Sequence, residues 1–163
     1  MSDRRKTRQK TLILGIGNTL LRDEGAGVHA IRMLAEQVAG RDDIELMDGG
    51  TLSFILAGAI EDAQQLIVID AAQLDSEPGT TRVFEGERMD DFVGGSRKRS
   101  VHEVSLVDLL MIARLADHLP QRRALIGIQP HEVDWGEHPS PPVAAAIPQA
   151  CDYALQLVEG WQP

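Results

Sequence analysis

The chain has 163 residues, 43% of them hydrophobic and 25% charged, the size and balance of one ordinary folded domain and not of a disordered segment. No apolar run approaches the roughly 20 residues that span a bilayer, so a membrane-embedded protein is not expected. Net charge is −9, and Cys151 is the only cysteine, which leaves no disulfide framework and no CxxC metal pair.

The first ten residues, MSDRRKTRQK, hold five bases and one acid and read as a disordered basic tail. Removing that local charge of +4 leaves about −13 on residues 11–163, which read as a single domain. So acidic a domain repels phosphate backbones, and nucleic acid is not an expected partner. The apolar stretch after the tail is too short, and too soon followed by charge, for a signal sequence.

Thr11–Ile16 is a continuous apolar run, as in a strand buried on both faces. Gly25–Gly40 follows, with Val28, Ile31, Leu34 and Val38 at helical spacing. Ile44–Met47 reads as a second strand running into Asp48-Gly49-Gly50-Thr51, then Leu52–Ile60 as a short helix and Leu66–Asp70 as a third strand. Pro78-Gly79 marks a turn before a strand-like Thr80–Phe84. Gly86–Ser100, polar and ending in GGSRKR, reads as a mobile loop and a candidate flap. Glu103–Leu115 reads as a deeply buried helix and Ala124–Ile128 as a fifth strand. Val143–Val158 is the last helix, with Ser140 able to cap it and Pro148 expected to kink or divide it. Cys151 falls on the apolar face of that helix and reads as a small buried hydrophobe.

Alternating strands and helices argue for an α/β fold, a three-layer α/β/α domain with a mostly parallel sheet. Ligands of such sheets bind beyond the carboxyl ends of the strands. The first loop, GIGNTLLRDEGAG, fails the dinucleotide fingerprint because Leu20 stands where the third glycine belongs. It delivers Asp23 and Glu24 to a helix N-terminus, where capping and the helix dipole would account for either acid, and fully for Asp23. Asp70 ends the apolar run LIVID, so its desolvation calls for a partner, a ligand or a cap on the following turn. His102 precedes a helix, as an ordinary polar contact or as a ligand. If the first and third strands are neighbours, the three side chains can meet as a carboxylate–carboxylate–imidazole set that suits a divalent first-row metal with open positions. Two close carboxylates also suit acid–base chemistry, their pKa values being driven apart.

In order and spacing, GIGNTLLRDEGAG, DGGT, LIVIDA, PGT, SVHEVSLVDLL and IGIQP resemble the nickel–iron hydrogenase maturation endopeptidases, over Thr11 to Trp161. The resemblance implies a five-stranded sheet with one antiparallel strand, of the phosphorylase/hydrolase-like kind. It implies a protease that removes the C-terminal extension of the hydrogenase large-subunit precursor after nickel insertion. The metal-contacting residues would be Glu24, Asp70 and His102, and Asp48 of the DGGT loop would position substrate or act in catalysis. Nickel would arrive on the substrate and not as a resident cofactor, and the enzyme would be a cytoplasmic monomer. A non-catalytic, nickel-checking adaptor for the same precursor is the alternative, and a nucleotide-binding module the third reading. Ser53 departs from the glycine that many relatives carry there, which bears on the backbone of that loop. His29, His118, His131 and His138 read as surface or structural residues, though the loop around Trp135 could touch substrate.

Overall fold

The structure is a computed structural model that describes residues 8–51, 53–95 and 105–163. Strands β1 (Thr11–Ile16), β2 (Ile44–Gly50), β3 (Gln65–Ala71), β4 (Thr81–Glu85) and β5 (Arg122–Ile128) form one sheet in the order β2-β1-β3-β5-β4. All neighbours are parallel except β4, which runs antiparallel to β5. The helices are α1 (Ala26–Gln37), α2 (Ile55–Asp62), α3 (Glu87–Gly94), α4 (Leu106–Leu115) and α5 (Pro141–Gly160). Among the described residues no helix is long and apolar enough to cross a membrane.

The apolar runs of the central strands follow from burial on both faces. Ile13, Ile67, Ile69 and Ile126 pack with α1 and α5, whereas Leu12, Leu14, Leu66, Val68 and Leu125 pack with α2, α3 and α4. Burying each such side chain contributes about 1.5–3 kcal/mol. Strand propensities span only about 1 kcal/mol, so burial decides these runs. The chain goes from β1 through α1 outward to β2, then through α2 back past β1 to β3. Sheet order therefore reverses between β1 and β3, with α1 and α2 on opposite faces, and a crevice opens beyond their carboxyl ends.

Four expectations change. The segment expected to be a mobile loop begins with α3, because Met89 and Val93, four residues apart, turn inward and are buried; positions 96–100 lie outside the described residues. Pro148 neither divides nor interrupts α5. An interior proline costs about 3 kcal/mol, but this one is exposed and the helix buries Val143, Ala146, Ile147, Ala150, Cys151, Ala154 and Val158. Helix α4 starts at Leu106 behind a capping box of Ser105 and Asp108. It is buried on one face only, with Met111 and Leu115 exposed. Of the ten residues read as a tail, 1–7 lie outside the described residues, whereas Arg8 bonds to Asp43 and Glu159, and the amides of Gln9 and Lys10 donate to Gln162 and Gln64.

Candidate active site

Three of the candidate residues lie at the carboxyl edge of the sheet. Glu24 belongs to a short 3-10 turn, Arg22–Gly25, that follows β1 and leads directly into α1. Asp70 is the penultimate residue of β3. Asp48 lies in β2, in register with Gly15 of β1.

Close backbone packing brings the first two together. At Gly27, in the first turn of α1, a Cβ would stand 2.1 Å from the carbonyl oxygen of Ile69 and 2.5 Å from that of Ile16. Only hydrogen fits there, so α1 starts directly on the ends of β1 and β3, beside Asp70. At Gly17, φ is +137° and a Cβ would stand 1.7 Å from the carbonyl oxygen of Glu24. Both the left-handed backbone and the close approach require glycine. The Gly17 amide also donates to the Gly50 carbonyl at 2.8 Å, which ties this turn to β2.

Asp70 feels the result. Withdrawal of its carboxyl from water pushes the pKa well above the usual carboxylate range; a bond from the Ala71 amide opposes this, and the charge of Glu24 pushes the same way as burial. Glu24 itself is exposed. A shielded carboxyl whose pKa is raised, beside an exposed acidic side chain, is an arrangement suited to proton transfer or to sharing a cation.

Asp48 differs. Strand alternation puts it with Leu46 on the α1–α5 face, whereas Asp70 continues Leu66 and Val68 on the α2–α4 face. The exposed Asp48 carboxylate accepts from the Gly50 amide at 2.8 Å, holding the Asp-Gly-Gly turn. His102 lies outside the described residues. Among the described residues no three His, Cys, Asp or Glu side chains could hold a metal together.

Asp23 does something that capping does not account for. It is fully buried and caps no helix. Its carboxylate accepts from the amides of His131 (2.8 Å), Glu132 (2.7 Å) and Ser140 (2.6 Å) and from the Ser140 hydroxyl (2.7 Å). Burial acts to raise its pKa, but the bonds from Glu132, Ser140 and His131 outweigh it and hold the carboxyl below the usual range. The Ser140 side chain is thereby spent on Asp23 and gives α5 no side-chain cap. No spacing in the sequence pairs position 23 with positions 131–140, so nothing there could have signalled it.

Two further titratable groups lie on α5 and α1. Cys151 is fully buried, with Sγ donating to the Ala30 carbonyl, and burial, reinforced by Asp152, pushes its thiol up to about 11. At neutral pH roughly one thiol in ten thousand would be ionised, which excludes it as a nucleophile. His29 on α1 is half-buried, with no partner for Nε2 among the described residues; burial first, then the charges of Arg32 and His138, lower its pKa. Two depressions of about 410 Å³ lie at the amino end of the sheet, around Trp161 and Arg122, far from Glu24 and Asp70. They assemble no group of possible metal ligands.

Known proteins share both the sequence and this fold. A family model described as HycI, hydrogenase maturation protease, matches residues 28–157, a segment that contains Asp48 and Asp70 and begins just after Glu24. The hydrogenase expression/formation protein HupD of Rhizobium leguminosarum bv. viciae is 36% identical over 153 residues, 93% of this chain and 75% of that protein. The hydrogenase 2 maturation protease of Escherichia coli (strain K12) is 31% identical over 147 residues, 90% of this chain and 88% of that one. The solved hydrogenase maturating endopeptidase HybD from E. coli superposes with a TM-score of 0.84 at 30% identity over 94% of each chain. The [NiFe] hydrogenase maturation protease HybD from Thermococcus kodakarensis superposes at 0.75 and 31% identity, over 91% of this chain and 99% of that one. Sequence likeness over most of the chain and a shared five-stranded sheet lead to one conclusion: the chain belongs to the hydrogenase maturation protease family, enzymes that hydrolyse peptide bonds.

Proposed function

We propose that this protease removes the C-terminal extension of a nickel–iron hydrogenase large-subunit precursor once nickel has been inserted. Glu24, Asp70 and His102 contact the nickel that the precursor carries, and Asp48 positions the polypeptide from the neighbouring strand end. The carrying observation is the approach of Glu24 to Asp70 at the crevice between β1 and β3, close enough that the charge of Glu24 adds to burial in raising the pKa of Asp70. Two carboxylates and an imidazole hold a lone divalent ion weakly and leave positions vacant. Nickel already held by the precursor would gain ligands from both proteins at once, so docking is tight only after metal insertion. The ion then places the scissile bond beside the carboxyl pair. A water activated by carboxylate or by metal can complete hydrolysis.

Relatives named as proteases and endopeptidases favour cleavage over a non-cutting adaptor. The protein works as a monomer in the cytoplasm, a reading supported by its small soluble-type composition and lone cysteine. The test compares nickel-loaded with nickel-free precursor, chelator present in both, with loss of the extension followed by mass. Rapid cleavage of the loaded form alone is expected. Equal rates would show that the enzyme does not read substrate nickel.

A further inference from the structure

We infer that Asp23 is a positioning residue that holds Glu24 and the segment 131–140 together as one wall of the crevice; this rests on the reading of Glu24 as a substrate-contacting group. Asp23 is next in chain to Glu24 and fully buried. Among the described residues, every side-chain bond it accepts comes from residues 131–140, and none from the turn or helix it belongs to. Main-chain bonds extend the same seam. The Asp23 amide donates to the Glu132 carbonyl at 3.0 Å, the Arg22 amide to Gly136 at 2.9 Å, and the Gly136 amide to Leu20 at 2.9 Å.

Apolar packing does not account for this seam. No side chain from residues 131–140 belongs to either apolar cluster, and the buried carboxylate instead joins the turn before α1 to the loop that ends at Ser140, the N-cap of α5. The joined turn is also strained. Arg22 has φ +46°, a conformation that costs a non-glycine residue about 1–2 kcal/mol unless neighbours enforce it. Its neighbours do so through the Gly136 bond and a 2.6 Å ion pair to Glu132. Without the Asp23 pin the turn can relax toward ordinary backbone angles, and Glu24 moves with it.

Asp23→Asn keeps the size but turns an amide NH2 toward N–H and O–H donors. Ser140→Ala removes a single donor and is the milder variant should the first not fold. Val158→Ala, in the α5 core away from the crevice, controls for lost stability. Assayed on nickel-loaded precursor well below all unfolding midpoints, D23N should lower kcat about 10- to 100-fold, as misplacement of a reacting group by about 1 Å does, and should raise KM as well because Glu24 contacts the nickel that fixes docking. S140A should lower kcat in the same direction by less, and V158A should leave it near the wild-type value. The second readout needs no substrate. Amide resonances of Arg22 and Glu24 should shift in D23N and S140A but not in V158A. Loss of kcat in D23N no greater than in V158A overturns the inference. So do resonance shifts confined to residues 131–140. If wild-type enzyme fails to cut the precursor, the proposed function fails, and the resonances alone decide the role of Asp23.

Discussion

Replacing Gly27 by alanine sets two effects of opposite sign against each other. Gly27 lies in α1, and alanine in a helix is favoured over glycine by about 0.8–1 kcal/mol. The new methyl would lie 2.1 Å from the Ile69 carbonyl oxygen and 2.5 Å from that of Ile16. Restoring an ordinary separation of about 3.5 Å requires a shift of more than ~1 Å. The obstacles are backbone atoms of two central strands, which no rotamer change can move aside. Overpacking of this kind costs about 1–3 kcal/mol, and the rigid neighbours place it at the upper end, so the clash wins. A net loss of about 2 kcal/mol lowers Tm by roughly 4–8 °C in a domain of this size and leaves it folded. The shift falls between α1 and the end of β3, the contact that brings Glu24 to Asp70, so cleavage should fall about 10- to 100-fold. Gly58→Ala is the control. It lies in α2 with nothing within 4 Å of the added Cβ, and it should raise Tm slightly with unchanged activity. Thermal unfolding and cleavage of nickel-loaded precursor measure both. Activity of G27A within twofold of wild type would refute the claim that this close approach positions the carboxyl pair.

Asp43 is buried, bonds to Arg41 first and also to Arg8, and has its pKa lowered to about 2. A carboxyl depressed in this way stabilises the fold above about pH 4 and loses that contribution as pH falls through 2. Asp43→Asn should cost about 1–2 kcal/mol at pH 7, discounted for the exposure of Arg8, with the two unfolding curves converging near pH 2. A gap that persists at pH 2 in chemical denaturation would exclude the charge as its source. Cys151→Ala should retain full activity with a stability loss of about 1 kcal/mol, and alkylating agents should leave the folded wild type active; rapid inactivation by such an agent would contradict the buried thiol. His102→Ala should weaken cleavage of nickel-loaded precursor without lowering Tm, checked by mass and by thermal unfolding; unimpaired cleavage would remove His102 from the proposed nickel contacts.

Element types were legible because they are written as local periods. TLILGI and LIVID announce buried strands by unbroken apolar runs, and Val143, Ile147, Cys151 and Val158 announce the α5 face by helical spacing. The ordered motifs carried the family in the same local way. What no local pattern contains is who neighbours whom. Glu24 comes close enough for its charge to act on Asp70 because β1 pairs with β3, and because Gly27 lets α1 touch both strand ends. Asp48, equally acidic and equally well placed in the sequence, falls on the other face because strand side chains alternate. Asp23 is the sharpest case, for three of its four donors are main-chain amides more than one hundred residues away. Every residue but proline carries that donor, so its presence leaves no mark in the sequence. Only the folded chain selects which amides face the buried carboxylate, and with them the frame in which Glu24 is held.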